Sequence, residues 1–120
     1  MAAAVRPVRW VGSARTALKA FPRAVQRAIG QALYAAQCGE TYPSVKPLKG
    51  FHGASVLEIV APFETDAYRA VYTVQFGSAI YVLHAFQKKA KTGRKTPQKE
   101  IDLIARRLEA ARQDHKRRQN

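Results

Sequence analysis

The sequence has little cysteine and few acidic residues. Its single cysteine, Cys38, excludes an internal disulfide and suits a reducing compartment. Eight acidic residues stand against 21 lysines and arginines, and none of the eight precedes Glu40. A formal charge of +13 on 120 residues attracts polyanions, so we expect a nucleic-acid partner. An anionic membrane is the weaker alternative, because no basic amphipathic helix carries large aromatic residues on its other face.

Continuous apolar runs of membrane-spanning length are absent as well. The uncharged stretch 70–87 is interrupted by Gln75, Gly77 and Ser78, and its β-rich composition predicts a hairpin. Residues 1–39 share the acid-poor bias of a transit peptide, yet they supply a strand and two helices to the predicted core. We therefore expect a soluble, cytoplasmic protein with no membrane partner. An apolar fraction of 47% is sufficient for one core, which predicts a single domain over residues 1–120.

The apolar periodicity predicts an α+β fold with elements in the order β-α-α-β-β-β-α. After a strand at 5–11, Ser13 is a candidate N-cap for a short helix, and Pro22 suits the first turn of a second. The second helix has one apolar stripe, which contains Val25, Ala28, Ile29, Ala32, Leu33 and Ala36. Such a stripe packs on a flat surface, so we expect both helices on one face of a small twisted antiparallel sheet.

The second half of the chain contains the remaining predicted strands. After a loop at 39–53, the strands cover 56–60, 68–76 and 79–86, and Gly77-Ser78 is predicted as a two-residue turn between the last two. Thr96-Pro97 then begins a helix with a narrow apolar stripe. Its tail, residues 112–120, is a charge run that we expect to fray.

The stretch from Ile80 to Pro97 joins the buried core to a cationic surface. An apolar strand containing His84 and Phe86 leads into a basic run without acidic residues: Lys88, Lys89, Lys91, Arg94 and Lys95. A strand end holds charges rigidly enough to bind a phosphate backbone. The alternative is a solvated basic loop leading into a helix.

Four segments together resemble the RelE/ParE superfamily of toxin-antitoxin toxins, and within it the phage-derived HigB-type branch. They are FPRAVQRAIGQALYAAQCGE at 21–40, KPLKGF at 46–51, YRAVY at 68–72 and YVLHAFQKKAKTGRKTPQKEIDLIARRL at 81–108. The resemblance implies a toxin that cuts messenger RNA on the ribosome, and an antitoxin protein that masks the basic surface.

The resemblance also implies roles for individual residues. Arg69 would bind the scissile phosphate, and Lys88 and Lys89 would stabilise its developing charge, one of them acting as the acid. RNA contacts are implied for Lys46, Lys49, Lys91, Arg94 and Lys95. Tyr81 is a candidate for stacking on a base, with core packing as the alternative. No cofactor or metal is expected, since three histidines and one cysteine at these spacings match no zinc pattern.

The general base has two candidates. Relatives carry lysines on the strand before the YR motif, whereas this chain has Glu58 there, and Val60 stands where arginine is common. Glu58 is a candidate base if the strand points it toward Arg69, although a carboxylate paired with a cation is the alternative. His84 has a suitable side chain for proton transfer near neutrality, but its strand position equally fits a buried, hydrogen-bonded histidine.

Two other functions agree with the same pattern. A ParE-type gyrase inhibitor has this architecture and acts by binding a topoisomerase, so it would retain its activity without Arg69 or Lys88. A non-catalytic basic RNA- or DNA-binding protein would show steep salt dependence and no turnover.

Overall fold

The computed structural model of the protein describes residues 5–51, 55–89 and 96–119. It consists of a mixed β-sheet with helices on both faces. Within these residues the sheet has five strands in the order β1-β5-β4-β3-β2. The strands are β1 Val8–Trp10, β2 Val45–Pro47, β3 Val56–Phe63, β4 Asp66–Thr73 and β5 Ile80–Lys89. The helices are α1 Ala14–Lys19, α2 Arg23–Gln37 and α3 Gln98–Gln119. The predicted α+β class is confirmed, with the difference that β1 runs parallel to β5.

The two faces of the sheet bury two separate apolar clusters. On one face, α1 and α2 cover residues such as Ile59, Tyr72 and Val82, as the stripe of α2 predicts. On the other face, α3 contributes the buried Ile104 and Ala111 against Val71 and Leu83. The helix that follows the basic run therefore lies over the opposite side of the sheet from the N-terminal pair.

One edge of the sheet differs from the prediction. Part of the predicted loop forms β2, whose Lys46 pairs with Glu58. The strand predicted over 56–60 is longer in the structure, because β3 continues to Phe63 and the chain reverses at Glu64, where φ is +58°. Pro62 is accommodated because of the direction in which its nitrogen points. Val60 N–H, on the β2 side of β3, donates to Ser44 O at 3.1 Å. The nitrogen of Pro62, two residues later, faces the same side beyond the end of β2, where proline loses no ladder bond.

The second half forms the predicted turn and departs from the predicted tail. The predicted turn at Gly77-Ser78 is formed, with Ala79 N donating to Phe76 O at 3.5 Å and with Gly77 at the positive φ of +63° that favours glycine. The strands end farther from it than predicted, because residues 74–79 connect β4 to β5. Contrary to the expected fraying, α3 remains helical to Gln119. Its tail is held by contacts such as the Arg112 guanidinium 5.4 Å from the centre of the Phe76 ring. No helix in the described ranges is long and apolar enough to cross a membrane.

Candidate active site

Three charged side chains meet on the face of the sheet that α3 covers. Glu58 lies opposite Val71 in the ladder, and Arg69 is two residues from Val71 on the same face. Arg69 in turn pairs with Phe86, and Lys88 follows two residues later. Because side chains alternate between faces, the pleat directs Glu58, Arg69 and Lys88 to one side. They are only 2%, 6% and 4% exposed, so they form a buried charged cluster rather than part of the cationic surface that the sequence suggested.

The centre of this cluster is an ion pair. Arg69 Nη1 donates to Glu58 Oε1 at 2.8 Å, and Thr96 Oγ1 donates to Glu58 Oε2 at 3.3 Å. The carboxylate is therefore bonded at both oxygens, as the paired alternative for Glu58 predicted. Arg69 Nε is buried, and no acceptor in the described part of the chain reaches it. An unsatisfied buried donor of this kind costs roughly 1–3 kcal/mol.

Lys88 is electrostatically linked to the same pair. Burial lowers the pKa of its ammonium, the positive charge of Arg69 lowers it further, and the Glu58 carboxylate opposes both effects. Lys46 adds a smaller repulsion. Lys88 therefore gives up its proton more readily than a solvated lysine, which is the property that a general acid near neutral pH requires.

A cavity of about 650 Å³ opens beside the cluster. Exposed Lys46 and Lys49 lie on one side of it, and Thr96 and Gln98 at the start of α3 lie on the other. Glu58 also lines this cavity. The predicted RNA contacts Lys46 and Lys49 are thus brought to the carboxylate end of the cluster, where they place positive charge around an opening of nucleotide size.

His84 is held between the sheet and α3. Its Nε2 lies 3.0 Å from Glu100 Oε1, its Nδ1 lies 3.5 Å from Arg107 Nη1, and its ring stacks on Phe86 with centroids 5.0 Å apart. Both ring nitrogens therefore have a close polar neighbour, and the residue matches the buried, hydrogen-bonded alternative. Nothing in the sequence indicated Glu100 or Arg107, since a charged residue on an amphipathic helix normally faces solvent.

Arg107 also explains why the expected N-cap of α1 is not formed. Ser13 makes no side-chain capping bond. Its Oγ instead accepts from Arg107 Nη2 at 3.0 Å, while Nη1 of the same guanidinium donates to Leu83 O at 3.0 Å. One arginine of α3 thus connects β5 to the residue that precedes α1.

Tyr81 matches the core-packing alternative that the sequence left open. Its ring is 2% exposed and packs edge-on against Phe76, with centroids 6.0 Å apart. Its hydroxyl donates to Asp114 Oδ2 at 2.8 Å. Burial raises the pKa of the phenol and the bond to Asp114 raises it further, so the hydroxyl stays protonated as a donor. The ring packs in the cluster that α3 covers, which favours core packing over stacking on a base.

We expect Tyr81→Phe to lower the free energy of unfolding by roughly 1–2 kcal/mol, since the substitution removes one charge-assisted hydrogen bond and preserves the ring. Urea denaturation of Tyr81→Phe, Asp114→Asn and the double variant measures the coupling between the two side chains. Additive losses in this cycle would show that the bond does not connect β5 to α3 in solution.

The remaining predicted cations cannot be placed with this cluster. Lys91, Arg94 and Lys95 lie outside the described residues, as does the side chain of Lys89. Their assigned RNA contacts remain predictions. The described site therefore consists of Glu58, Arg69 and Lys88, with the cavity beside them.

The matched region of a known protein family includes this whole cluster. Residues 16–109, from α1 to the middle of α3, match the model of the family described as phage-derived, Gp49-like protein (DUF891). Among curated proteins, none matches the chain. Because the match covers most of the sequence, the chain belongs to the phage-derived Gp49-like family, in keeping with its resemblance to toxins of the RelE/ParE type.

Proposed function

We propose that the protein is the toxin of a type II toxin-antitoxin system and cleaves messenger RNA bound to the ribosome. The family and the net charge of +13 support a basic toxin that an antitoxin neutralises. The chemistry rests on one observation: a buried arginine N–H without an acceptor in the described residues lies in the same cluster as a lysine of lowered pKa. Perturbed titratable groups of this kind concentrate at functional sites.

Cleavage of RNA by its own 2′-OH needs three protein groups. A base removes the 2′ proton, a cation stabilises the charge that grows on the phosphoryl oxygens, and an acid protonates the departing 5′ oxygen. Arg69 Nε would supply the donor to a phosphoryl oxygen, and Lys88 would supply the proton. A donor that is already in place in a site without water needs little reorganisation during the reaction. Electrostatic stabilisation of the developing charge is largest in such a site.

Glu58 is the better candidate for the base. It lines the cavity, and its Oε2 is engaged only by the long 3.3 Å bond from Thr96 among the described contacts. His84 has polar neighbours at both ring nitrogens. We therefore propose that RNA replaces the Thr96 contact and that His84 positions the start of α3 through Glu100.

Burial of the ion pair favours a second candidate function. The side chains of Glu58 and Arg69 are 2% and 8% exposed, and their ion pair connects β3 to β4. This connection stabilises the sheet whether or not a substrate binds. A toxin that acts by binding, as ParE-type gyrase inhibitors do, would need no more than this structural role. Such a protein would cut no RNA, and it would tolerate replacement of the pair by apolar residues.

Programmed ribosomes separate the two functions. Purified protein is added to ribosomes that hold a defined message, and primer extension maps the breaks. We expect breaks within the ribosome-bound codons that leave a 2′,3′-cyclic phosphate, because the attacking group is the 2′-OH. Messages that stay intact on ribosomes at every codon tested would exclude the nuclease and leave the binding function.

We expect Lys46→Gln/Lys49→Gln to raise KM for ribosome-dependent cleavage by roughly 10-fold and to change kcat little, since phosphate contacts contribute to binding and carry no proton. Arg23→Gln/Arg27→Gln, which removes two charges from exposed positions on α2 away from the cavity, is a matched control for lost charge. A fall in kcat at unchanged KM would contradict a role of these lysines in binding.

A further inference from the structure

A second basic cavity lies between β1 and the C-terminal half of α3. Its volume is about 430 Å³, and it is lined by Arg9, Tyr81, Asp114, Arg117 and Arg118, together with the backbone around Trp10. Arg9 pairs with Tyr81 in the parallel β1–β5 ladder, so its side chain lies beside the Tyr81 ring. Tyr81 and Lys88 are at opposite ends of β5, about 23 Å apart along a strand. This cavity is therefore distinct from the candidate active site.

Hydrogen bonds hold the charged side chains around this cavity in place, and positive charges outnumber negative ones. Asp114 accepts from Arg118 Nε at 2.7 Å, from Tyr81 at 2.8 Å and from Arg117 Nη2 at 3.4 Å. The bonds from Arg118 and Tyr81 lower the pKa of Asp114, so it remains ionised and holds both arginines in place. Three guanidinium groups and one carboxylate line the cavity, which leaves two positive charges in excess there.

Arg9 is the group that most directly indicates a ligand. Its Nε is buried, and no acceptor within the described residues lies in hydrogen-bonding distance. A guanidinium presents its N–H groups in a planar fork that matches the oxygens of a phosphate. Asp114 does not compete for this fork, because its oxygens already accept from three donors.

We infer that this cavity binds a phosphodiester group of a single-stranded RNA, with the guanidinium of Arg9 as a donor to the phosphate oxygens. The site is open to a long chain, since the side chains of Arg117 and Arg118 are 70% and 51% exposed. A cavity of 430 Å³ also exceeds what one small anion fills. RNA bound at this site would contact the toxin at a point separate from the place of cleavage, so the site adds affinity and register rather than chemistry.

The test uses 2′-O-methyl RNA, which lacks the attacking hydroxyl and so reports binding whether or not the protein is a nuclease. The Arg9 Nε–Hε signal is assigned in the ¹⁵N spectrum of the full chain by its loss in Arg9→Gln, and a 12-nucleotide strand is then titrated. We expect saturable movement of this signal. In fluorescence anisotropy, Arg9→Gln should lower affinity about 5-fold and reduce the slope of log K against log salt by about 0.7, the value for one phosphate of a single strand.

Controls separate this inference from general charge effects and from the proposed nuclease activity. Arg27→Gln removes the same charge from an exposed position on α2, and Arg9→Lys retains charge without the fork. Equal losses in Arg9→Gln and Arg27→Gln would overturn the site, as would an Arg9 signal that moves with inorganic phosphate or polyglutamate but not with RNA. Movement with RNA on a protein that cuts no message would support the site and reject only the nuclease.

Discussion

Arg69→Ala is expected to lower the free energy of unfolding by about 3–5 kcal/mol and to reduce cleavage of ribosome-bound message at least 100-fold. The stability loss follows because Glu58, 2% exposed, would lose the guanidinium that donates to it at 2.8 Å and would be left as a buried carboxyl group without its ion-pair partner. The activity loss follows because the only proposed donor to the phosphoryl oxygen is removed. Thermal denaturation should show a fall in Tm of roughly 10–20 °C.

A paired variant separates these two losses. Arg69→Met combined with Glu58→Leu replaces both charges by apolar groups of similar size, an exchange that is often neutral or stabilising for a buried ion pair. We expect this protein to fold near wild-type stability and still to leave the message intact. Arg69→Lys, which keeps the charge but lacks Nε, should retain more stability than Arg69→Ala and remain a poor catalyst. Wild-type cleavage by the apolar pair would refute the catalytic assignment of both residues.

The sequence predicted those parts of the fold that depend on local periodicity. The stripe of α2 places Val25, Ile29 and Leu33 in the core, and alternation identifies β4 and β5. β2 was missed because three residues that include Pro47 produce no alternation to detect. The tail of α3 was expected to fray because its charges resemble a solvated run. Its order comes from long-range partners such as Tyr81, 33 residues from Asp114, and a sequence window does not contain them.

The candidate site was predictable to a similar extent. Strand parity directs Glu58 and Arg69 to one face, and their pairing follows from opposite charge on neighbouring strands. Burial of the pair was not predictable, because it depends on which face of the sheet α3 covers. An apolar stripe specifies that a helix packs, but the face depends on long-range contacts such as that of Arg107 with Leu83.

Lys88→Met is expected to abolish most cleavage, by 100-fold or more, while raising the free energy of unfolding by about 1 kcal/mol. Lys88 is 4% exposed, and burial and Arg69 both disfavour its charge, so a neutral side chain of similar length removes that cost. Activity falls because methionine has no proton to give to the leaving oxygen. Opposite changes in activity and stability are typical of side chains kept for function.

The pH dependence of stability isolates the effect of Lys88. Its folded-state pKa lies below that of the unfolded chain, so at neutral pH both states are protonated and the cost of the buried charge is fully present. As pH rises through the folded-state pKa toward the ordinary lysine value of about 10.4, only the folded state loses its proton and the wild type gains stability. The advantage of Lys88→Met in urea denaturation should therefore be larger at pH 7 than at pH 9.5.

The titration of Lys88 should also appear in the pH dependence of the cleavage rate. An acid acts only while protonated, so wild-type cleavage should decline above the folded-state pKa of Lys88, earlier than an ordinary lysine would allow. Lys99→Met, at an exposed position on α3, is the control and should change neither the stability difference nor this limb of the profile. A rate that is flat to pH 10 would exclude Lys88 as the acid. Lys88 would then act as a fixed positive charge beside the phosphate. Lys88→Arg would preserve that role, whereas it would not preserve a role as proton donor.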